Sequence, residues 1–534
     1  MTTEQANDGF GTISVAAILA ESAARIPDAS ALIVGDEAVT YKELWKQTRA
    51  YAGALRERGV GPGVPVAVLI PNVADFARVY YAILALGGIV VPVHALLKAR
   101  EIDYVIKDSG AKLLVCAAAL LTEGAPGAQS AGTQLLTVMS TDAAGDLPRL
   151  EDEAAAAVPI ETYTPRRPED TATILYTSGT TGKPKGALGT HFALVEQVNV
   201  LLTSTFDIRP GDKIFGGLPL FHTFGQTCVL NTSLRAGATV VMLPKFTGPA
   251  ALEVMRTHGV NVFFGVPTMY VALLEAEKAS PGRPDGLRYG ISGGSSLPMA
   301  VLERFQDGFG VEIYEGYGLT ETSPVASFNH VGSTPRPGTI GTPIWGVDIA
   351  IARPEVVDAI ELLPAGELGE LVIRGHNLFK GYLNRPEATA QAVVQGWFRT
   401  GDLGTKDTDG YLRIMDRKND MIIRNGYNVY PREVEEVLNQ HPEVVSAAVF
   451  GIPHDVHGQE IAAAIVTAPG SPVTAEDLAE YAKSQLAAYK YPRIIEIRPD
   501  LPLGPSGKIL KRELTASYVQ QPHAGAPRVE KASN

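Results

Sequence analysis

The run Tyr176-Thr177-Ser178-Gly179-Thr180-Thr181-Gly182-Lys183-Pro184-Lys185-Gly186 packs three glycines, four Ser/Thr hydroxyls and two lysines into eleven residues. Glycine admits positive φ and lets the backbone approach a ligand closely. Amides, hydroxyls and ammonium groups converging on one point are what a polyphosphate requires. The spacing is not that of the P-loop G-x-x-x-x-G-K-[ST], because position 177 is Thr and Pro184 follows Lys183. A polar surface turn is the alternative. The apolar run 172–175 just ahead, which reads as the end of a buried strand, favours the phosphate loop.

Other clusters hold chemistry more weakly. His222 stands among aromatics in Leu218-Pro219-Leu220-Phe221-His222-Thr223-Phe224-Gly225, where alone it reads as a core histidine. Ser292-Gly293-Gly294-Ser295 is a second glycine turn after a strand. Glu315-Gly316-Tyr317-Gly318-Leu319-Thr320-Glu321-Thr322 offers an aromatic that can stack on a base and a carboxylate that can hold Mg²⁺, or equally a capped helix start. Thr400-Gly401-Asp402-Leu403 presents a carboxylate to hydroxyls, or is simply a turn. Lys508 lies in the loop Gly504-Pro505-Ser506-Gly507-Lys508-Ile509, and a lone lysine is by default solvated.

The elements that must position these groups alternate along the chain. Strands are expected at 65–70, 89–93, 113–116, 213–217, 239–243 and 262–265, and helices at 78–86, 250–258 and 269–277. This alternation indicates α/β architecture with parallel or mixed sheets covered by helices. Residues 79–97 carry no Asp, Glu, Lys or Arg, but Gly87-Gly88, Pro92 and His94 interrupt them, so a helix over 74–86 followed by a strand is expected rather than a membrane span. Residues 121–169, rich in Ala, Gly, Pro and acids, read as a variable loop region. The pattern restarts after Asp416-Arg417-Lys418-Asn419 with strand 421–424, helix 431–439, strands 444–450 and 461–467, and helix 475–486. We therefore expect a large domain over 1–418, a small mobile α+β domain over 419–520 and a disordered tail over 521–534.

Composition bounds the partners. Of 534 residues, 45% are hydrophobic, enough for substantial cores. The net charge of −12 argues against a nucleic-acid binder acting by bulk electrostatics. Two distant cysteines in apolar surroundings, Cys116 and Cys228, imply no disulfide framework, and residues 1–10 contain acids and no basic run. A cytoplasmic location is expected.

Taken in order from about Leu32 to Leu514, these clusters resemble the adenylate-forming superfamily of acyl-CoA synthetases, luciferases and nonribosomal peptide adenylation domains. The phosphate loop, Tyr317-Gly318-Leu319-Thr320-Glu321, Thr400-Gly401-Asp402-Leu403, Asp416-Arg417-Lys418-Asn419-Asp420 and Gly507-Lys508-Ile509 carry the likeness. The stretch 374–389, including Lys380-Gly381-Tyr382 and Asn384-Arg385-Pro386-Glu387-Ala388-Thr389, looks most like fatty and aryl acyl-CoA ligases.

The resemblance implies two half-reactions using ATP, Mg²⁺ and coenzyme A: a carboxylate forms acyl-AMP and pyrophosphate, then a thiol displaces AMP. It implies that Thr177, Ser178, Gly179, Thr180, Thr181, Gly182 and Lys183 cradle the departing phosphates. Glu321 would bind Mg²⁺ and Thr320 the α-phosphate. Tyr317, Gly316, Gly293, Gly294 and Ser295 would frame the adenine, and Asp402 and Arg417 would hold the ribose. Lys508 would bridge the acid and the α-phosphate, with His222 beside the carboxylate.

After a rotation of the small domain, Gly426 and Tyr427 would line the pantetheine tunnel. The pivot departs from the family pattern: Asn419 stands where Asp or Lys is usual. Phe221, Phe224, Val266 and Met269 make an apolar neighbourhood, so a medium- or long-chain fatty acid is the expected substrate. A cinnamate-type aryl acid is its rival, and an acyl carrier protein is the alternative acceptor to CoA.

Overall fold

The computed structural model describes residues 11–139, 147–177, 184–454, 456–504 and 507–520. Short apolar strands set the architecture. Leu113–Ala117 is buried along its whole length, and such a strand needs cover on both faces. It lies in a six-stranded sheet ordered Gln134–Val138, Leu113–Ala117, Pro65–Leu69, Ile89–Pro92, Thr171–Thr177 and Lys185–Thr190. Pairing is parallel until the last strand, which returns antiparallel.

The nine-stranded sheet has a parallel centre: Glu312–Gly318, Tyr289–Ser292, Val262–Gly265, Lys213–Gly216, Thr239–Met242 and Ser30–Val34. Antiparallel strands, among them Val325–Phe328 and Glu37–Thr40, close its edges. A five-stranded antiparallel sheet over residues 347–417 follows, and its last strand, Leu412–Arg417, pairs with Trp397–Lys406. Residues 418–421 then lead into a separate five-stranded sheet formed within residues 422–497 and covered by the helices Pro431–Asn439 and Ala475–Gln485. The fold is thus α/β, with a large N-terminal domain and a smaller C-terminal one. The tail at 521–534 lies outside the described residues.

The segment 79–97 resolves as expected: helix Ala74–Ala85, a left-handed Gly87 and strand Ile89–Pro92. No helix among the described residues is long and apolar enough to cross a membrane. The expectation of a loop over 121–169 is corrected. Leu121–Ala131 is helical, Gln134–Val138 is the edge strand of the six-stranded sheet, and Leu150–Ala156 is a further helix. Close packing hid the first of these. A Cβ on Gly124 would meet Cys116 Sγ at 2.6 Å, and one on Gly127 would meet Ile102 at 2.7 Å, so this helix buries glycines where an apolar stripe would normally show.

The two large sheets are joined through a buried polar knot. Tyr81, on the helix Ala74–Ala85, donates its hydroxyl to Asn231 Oδ1 at 2.7 Å. Asn231, the last residue of the π-helix Phe224–Asn231, donates to Tyr80 at 3.0 Å. All three side chains are fully buried. Tyr81→Phe strands the Asn231 carbonyl oxygen and should cost about 1–3 kcal/mol, the desolvation penalty of an unpaired buried acceptor. A lowered urea midpoint for the large domain is the expected reading, and an unchanged midpoint would show the knot to be neutral.

Candidate active site

Parallel strands deliver their carboxyl ends to one edge of a sheet, and ligands bind there in open α/β folds. In the nine-stranded sheet Gly265 is in register with Ser292, and Ser292 with Glu315. The segments leaving these strands, 266–268, 293–295 and 316–322, therefore emerge side by side. Thr177 ends its own strand opposite Lys185. Ser178, Gly179, Thr180, Thr181, Gly182 and Lys183 lie outside the described residues.

His222 is placed by a residue far away in the chain. Asn72 Nδ2 donates to Leu218 O at 2.6 Å and to Gly216 O at 3.3 Å, while its Oδ1 accepts from Leu220 N at 2.9 Å. This fixes the turn before the histidine. The His222 ring then accepts from Phe224 N through Nδ1 at 3.2 Å. The His94 ring lies edge-on to Phe221 at 4.1 Å.

The C-terminal domain brings Lys508 into this space. A Cβ on Gly294 (φ +82°) would stand 3.8 Å from the Lys508 Cε, and Thr268 Oγ1 donates to Gly507 O at 3.3 Å. On the opposite wall, Asp402 and Arg417 are register partners joined by an ion pair of 3.2 Å. The Tyr317 hydroxyl donates to the other oxygen of Asp402. Thr320 and Glu321 form a single 3-10 turn with Thr322. Tyr382 donates to Glu321 Oε1 at 2.8 Å, and Lys185 lies over the Tyr382 ring at 5.2 Å.

The electrostatics follow from enclosure. Burial, with Arg417 adding to it, pushes the Lys508 amine down to about 8, against the pull of Asp402 and Glu321. Burial likewise lifts Asp402, although Arg417 and Tyr317 oppose it, and lifts Glu321. His222 is pushed down to about 4, first by burial and then by Lys508 and His94, so it is neutral at pH 7. Glu321 makes no direct ion pair among the described residues: Tyr382 holds one of its oxygens, while Arg417, Lys185 and Lys508 act on it only through space, and a buried carboxylate of this kind fits a hard divalent cation.

The structure thus brings together His222, Gly293, Gly294, Ser295, Gly316, Tyr317, Thr320, Glu321, Asp402, Arg417 and Lys508. It does not bring Gly426 and Tyr427 to them. Gly426 (φ +80°) has open space beside it on a hairpin of the small sheet, and Tyr427 is exposed, stacked on Tyr489 at 4.7 Å. Asn72 and Tyr382 are site residues that sequence reasoning missed. Only Tyr382 had a signal, its place in the 374–389 stretch. One His/His/Glu group, His454, His457 and Glu460, has ligand atoms within 4.8 Å of one another. Arg424, however, binds both Glu460 oxygens at 2.6 and 2.9 Å, which commits that carboxylate to an ion pair.

Comparison with known proteins agrees with this geometry. The AMP-binding enzyme family matches residues 19–383, and the AMP-binding enzyme C-terminal domain matches residues 433–508. A long-chain-fatty-acid–CoA ligase of Bacillus subtilis (strain 168) is 32% identical over 535 residues, covering 95% of each chain. A feruloyl-CoA synthase of an Amycolatopsis species is 35% identical over 514 residues, covering 96% of this chain and 99% of its own. The crystal structure of ATP-bound MatB from Rhodopseudomonas palustris superposes with a TM-score of 0.85 at 31% identity, covering 94% of this chain and 99% of that one.

The chain belongs to the AMP-binding, adenylate-forming enzyme family. It is an AMP-forming acid–thiol ligase of the acyl- or aryl-CoA class, working with ATP, Mg²⁺ and CoA.

The lowered pKa of Lys508 sets a pH dependence. The amine is charged below about 8 and loses its charge as pH rises through that value. The kcat/KM for acid activation, which reports free-enzyme groups, should therefore fall above about pH 8. Lys508→Arg should move that fall to higher pH. A wild-type profile flat to about pH 9 would mean that the Lys508 charge is not used.

Proposed function

We propose that this enzyme activates a medium- or long-chain fatty acid as acyl-AMP and transfers the acyl group to CoA. The observation that carries the reading is Lys508 beside Gly294, in a site where His222, Glu321, Asp402 and Arg417 also converge. Two anions must meet for the carboxylate oxygen to attack the α-phosphorus while the bond to pyrophosphate breaks. Fixed positive charge and oriented donors are what such a step requires.

In this reading Lys508 bridges the acid and the α-phosphate, and Thr320 contacts the α-phosphate. Thr177 and residues 178–183 hold the leaving phosphates. Glu321 holds Mg²⁺, which supplies charge neutralisation on the phosphate oxygens. Tyr317, Gly316 and residues 293–295 frame the adenine. Asp402, oriented by Tyr317 and paired with Arg417, takes the ribose hydroxyls. His222, neutral, donates from its free ring nitrogen to the acid. The small domain then turns about Asn419, between a large domain ending at 418 and a small one running from 419 to 520. The turn withdraws Lys508 and brings Gly426 and Tyr427 to the site. The CoA sulfur attacks the acyl carbon, AMP leaves and the thiol proton is released.

The half-buried Phe221 and Phe224 support a hydrocarbon tail, as does the likeness to the fatty-acid ligase. Val266 and Met269 are buried in the main core. One observation favours an aryl acid instead: the likeness to the feruloyl-CoA synthase.

Product analysis with ATP, Mg²⁺, C2 to C18 and aryl acids, with and without CoA, separates the readings. Acyl-CoA and AMP within a window of longer alkyl chains support the proposal. Turnover of aryl acids alone transfers it to the rival. Acyl-AMP that CoA does not discharge points to a carrier protein as acceptor. Lys508→Ala should lower adenylation by orders of magnitude while largely sparing thioester formation from supplied acyl-AMP. Gly426→Leu should do the reverse by narrowing the thiol path. Equal loss in both steps for either variant contradicts its assigned role.

A further inference from the structure

Lys508 reaches the site only if the small domain is held against the large one, so the contacts between them bear on catalysis. One such contact lies on the helix Met299–Phe309. Pro298 precedes it and has no side-chain cap to offer, so the first amide of the helix lacks an intrahelical partner. The small domain supplies one: Met299 N donates to Glu436 Oε2 at 3.4 Å. Glu436 belongs to the helix Pro431–Asn439, which packs on its own sheet.

The large domain adds a second carboxylate close by. Glu315, at 6% exposure, accepts from Leu297 N at 3.1 Å. Burial raises both carboxyls, Glu315 up to about 7, and Arg432, one turn before Glu436, opposes it and draws them back toward their charged forms. Its own N donates to Asp416 Oδ2 at 3.0 Å, and its guanidinium donates to Ile414 O. The same docking places Gly507 against Thr268 at the other end of the interface.

We propose that Glu436 is a positioning residue for Lys508, a carboxylate that caps a helix of the large domain in trans and so favours the docking in which the lysine reaches the acid. The proposal rests on the two-step reading above. A negative charge at a helix N-terminus is stabilising, and this one is contributed across the interface. Its loss weakens the Lys508-in arrangement and leaves each domain's own packing intact. The chemistry of thioester formation does not use it.

The test compares half-reactions in the full-length enzyme. Glu436→Ala should slow adenylation, read as pyrophosphate release, by roughly three- to tenfold, the range expected for a charged helix cap. CoA-dependent discharge of supplied acyl-AMP should be unchanged or faster. Glu436→Gln, which keeps an acceptor and loses the charge, should fall between. Amide exchange should quicken at Met299 and not at Leu297, whose partner is Glu315. Equal slowing of both steps, or no slowing of adenylation, overturns the proposal. Lys508→Ala is measured alongside: if it also fails to separate the two steps, the two-step reading itself falls, whereas a clean separation there with none at Glu436 rejects only the latch.

Discussion

Everything in the candidate site is arranged around one enclosed ammonium group. Lys508 sits where Arg417 repels its charge, Asp402 and Glu321 attract it, and burial strips its water. Burial and Arg417 prevail, so its proton is held less firmly than that of a free lysine. The sign of the linkage matters. A lysine whose folded pKa is depressed opposes docking wherever it must enter charged, fully so below about pH 8, and the opposition fades as pH rises toward the ordinary lysine range. In the proposed reading, an anionic acid and triphosphate would add counter-charge and ease that opposition.

The large domain supplies the rigid half of this arrangement. Strand register sets Gly265, Ser292 and Glu315 in a row, and the turns beyond them inherit that alignment. Asp402 and Arg417 face each other because they are paired across an antiparallel ladder. Residues held by sheet register need no long side-chain reach to meet, which is how groups over a hundred residues apart in the chain can form one precise pocket.

Much of this was legible in the sequence because its signals are local. The apolar runs marked the central strands, and the motifs marked Asp402, Arg417, Glu321 and Lys508. The helix Leu121–Ala131 was not legible, since it packs through Gly124 and Gly127 and shows no apolar stripe. Asn72, Tyr382 and Glu436 escaped for a different reason. Each acts through a contact distant in the chain, such as Asn72 on Leu218 or Glu436 on Met299, and each is of a residue type common at surfaces and turns. Asn419, where the chain departs from the family pattern at the pivot, is not left-handed; the left-handed asparagine in this region is Asn425, at φ +52°.

The linker between the domains is tied down almost to its end. Lys418 N donates to Gly401 O at 2.9 Å, and its amine donates to Pro354 O. Asp420 N and Met421 N both fold back on Arg417 O. Little slack remains, so Lys508 is no tethered group searching a sphere of solution. A short, taut connection confines a reactive end to a small volume and raises its effective concentration at its target, and each added link dilutes it. The same residue that pairs with Asp402 thus anchors the tether, and the short run of chain after Arg417 confines where Lys508 can stand.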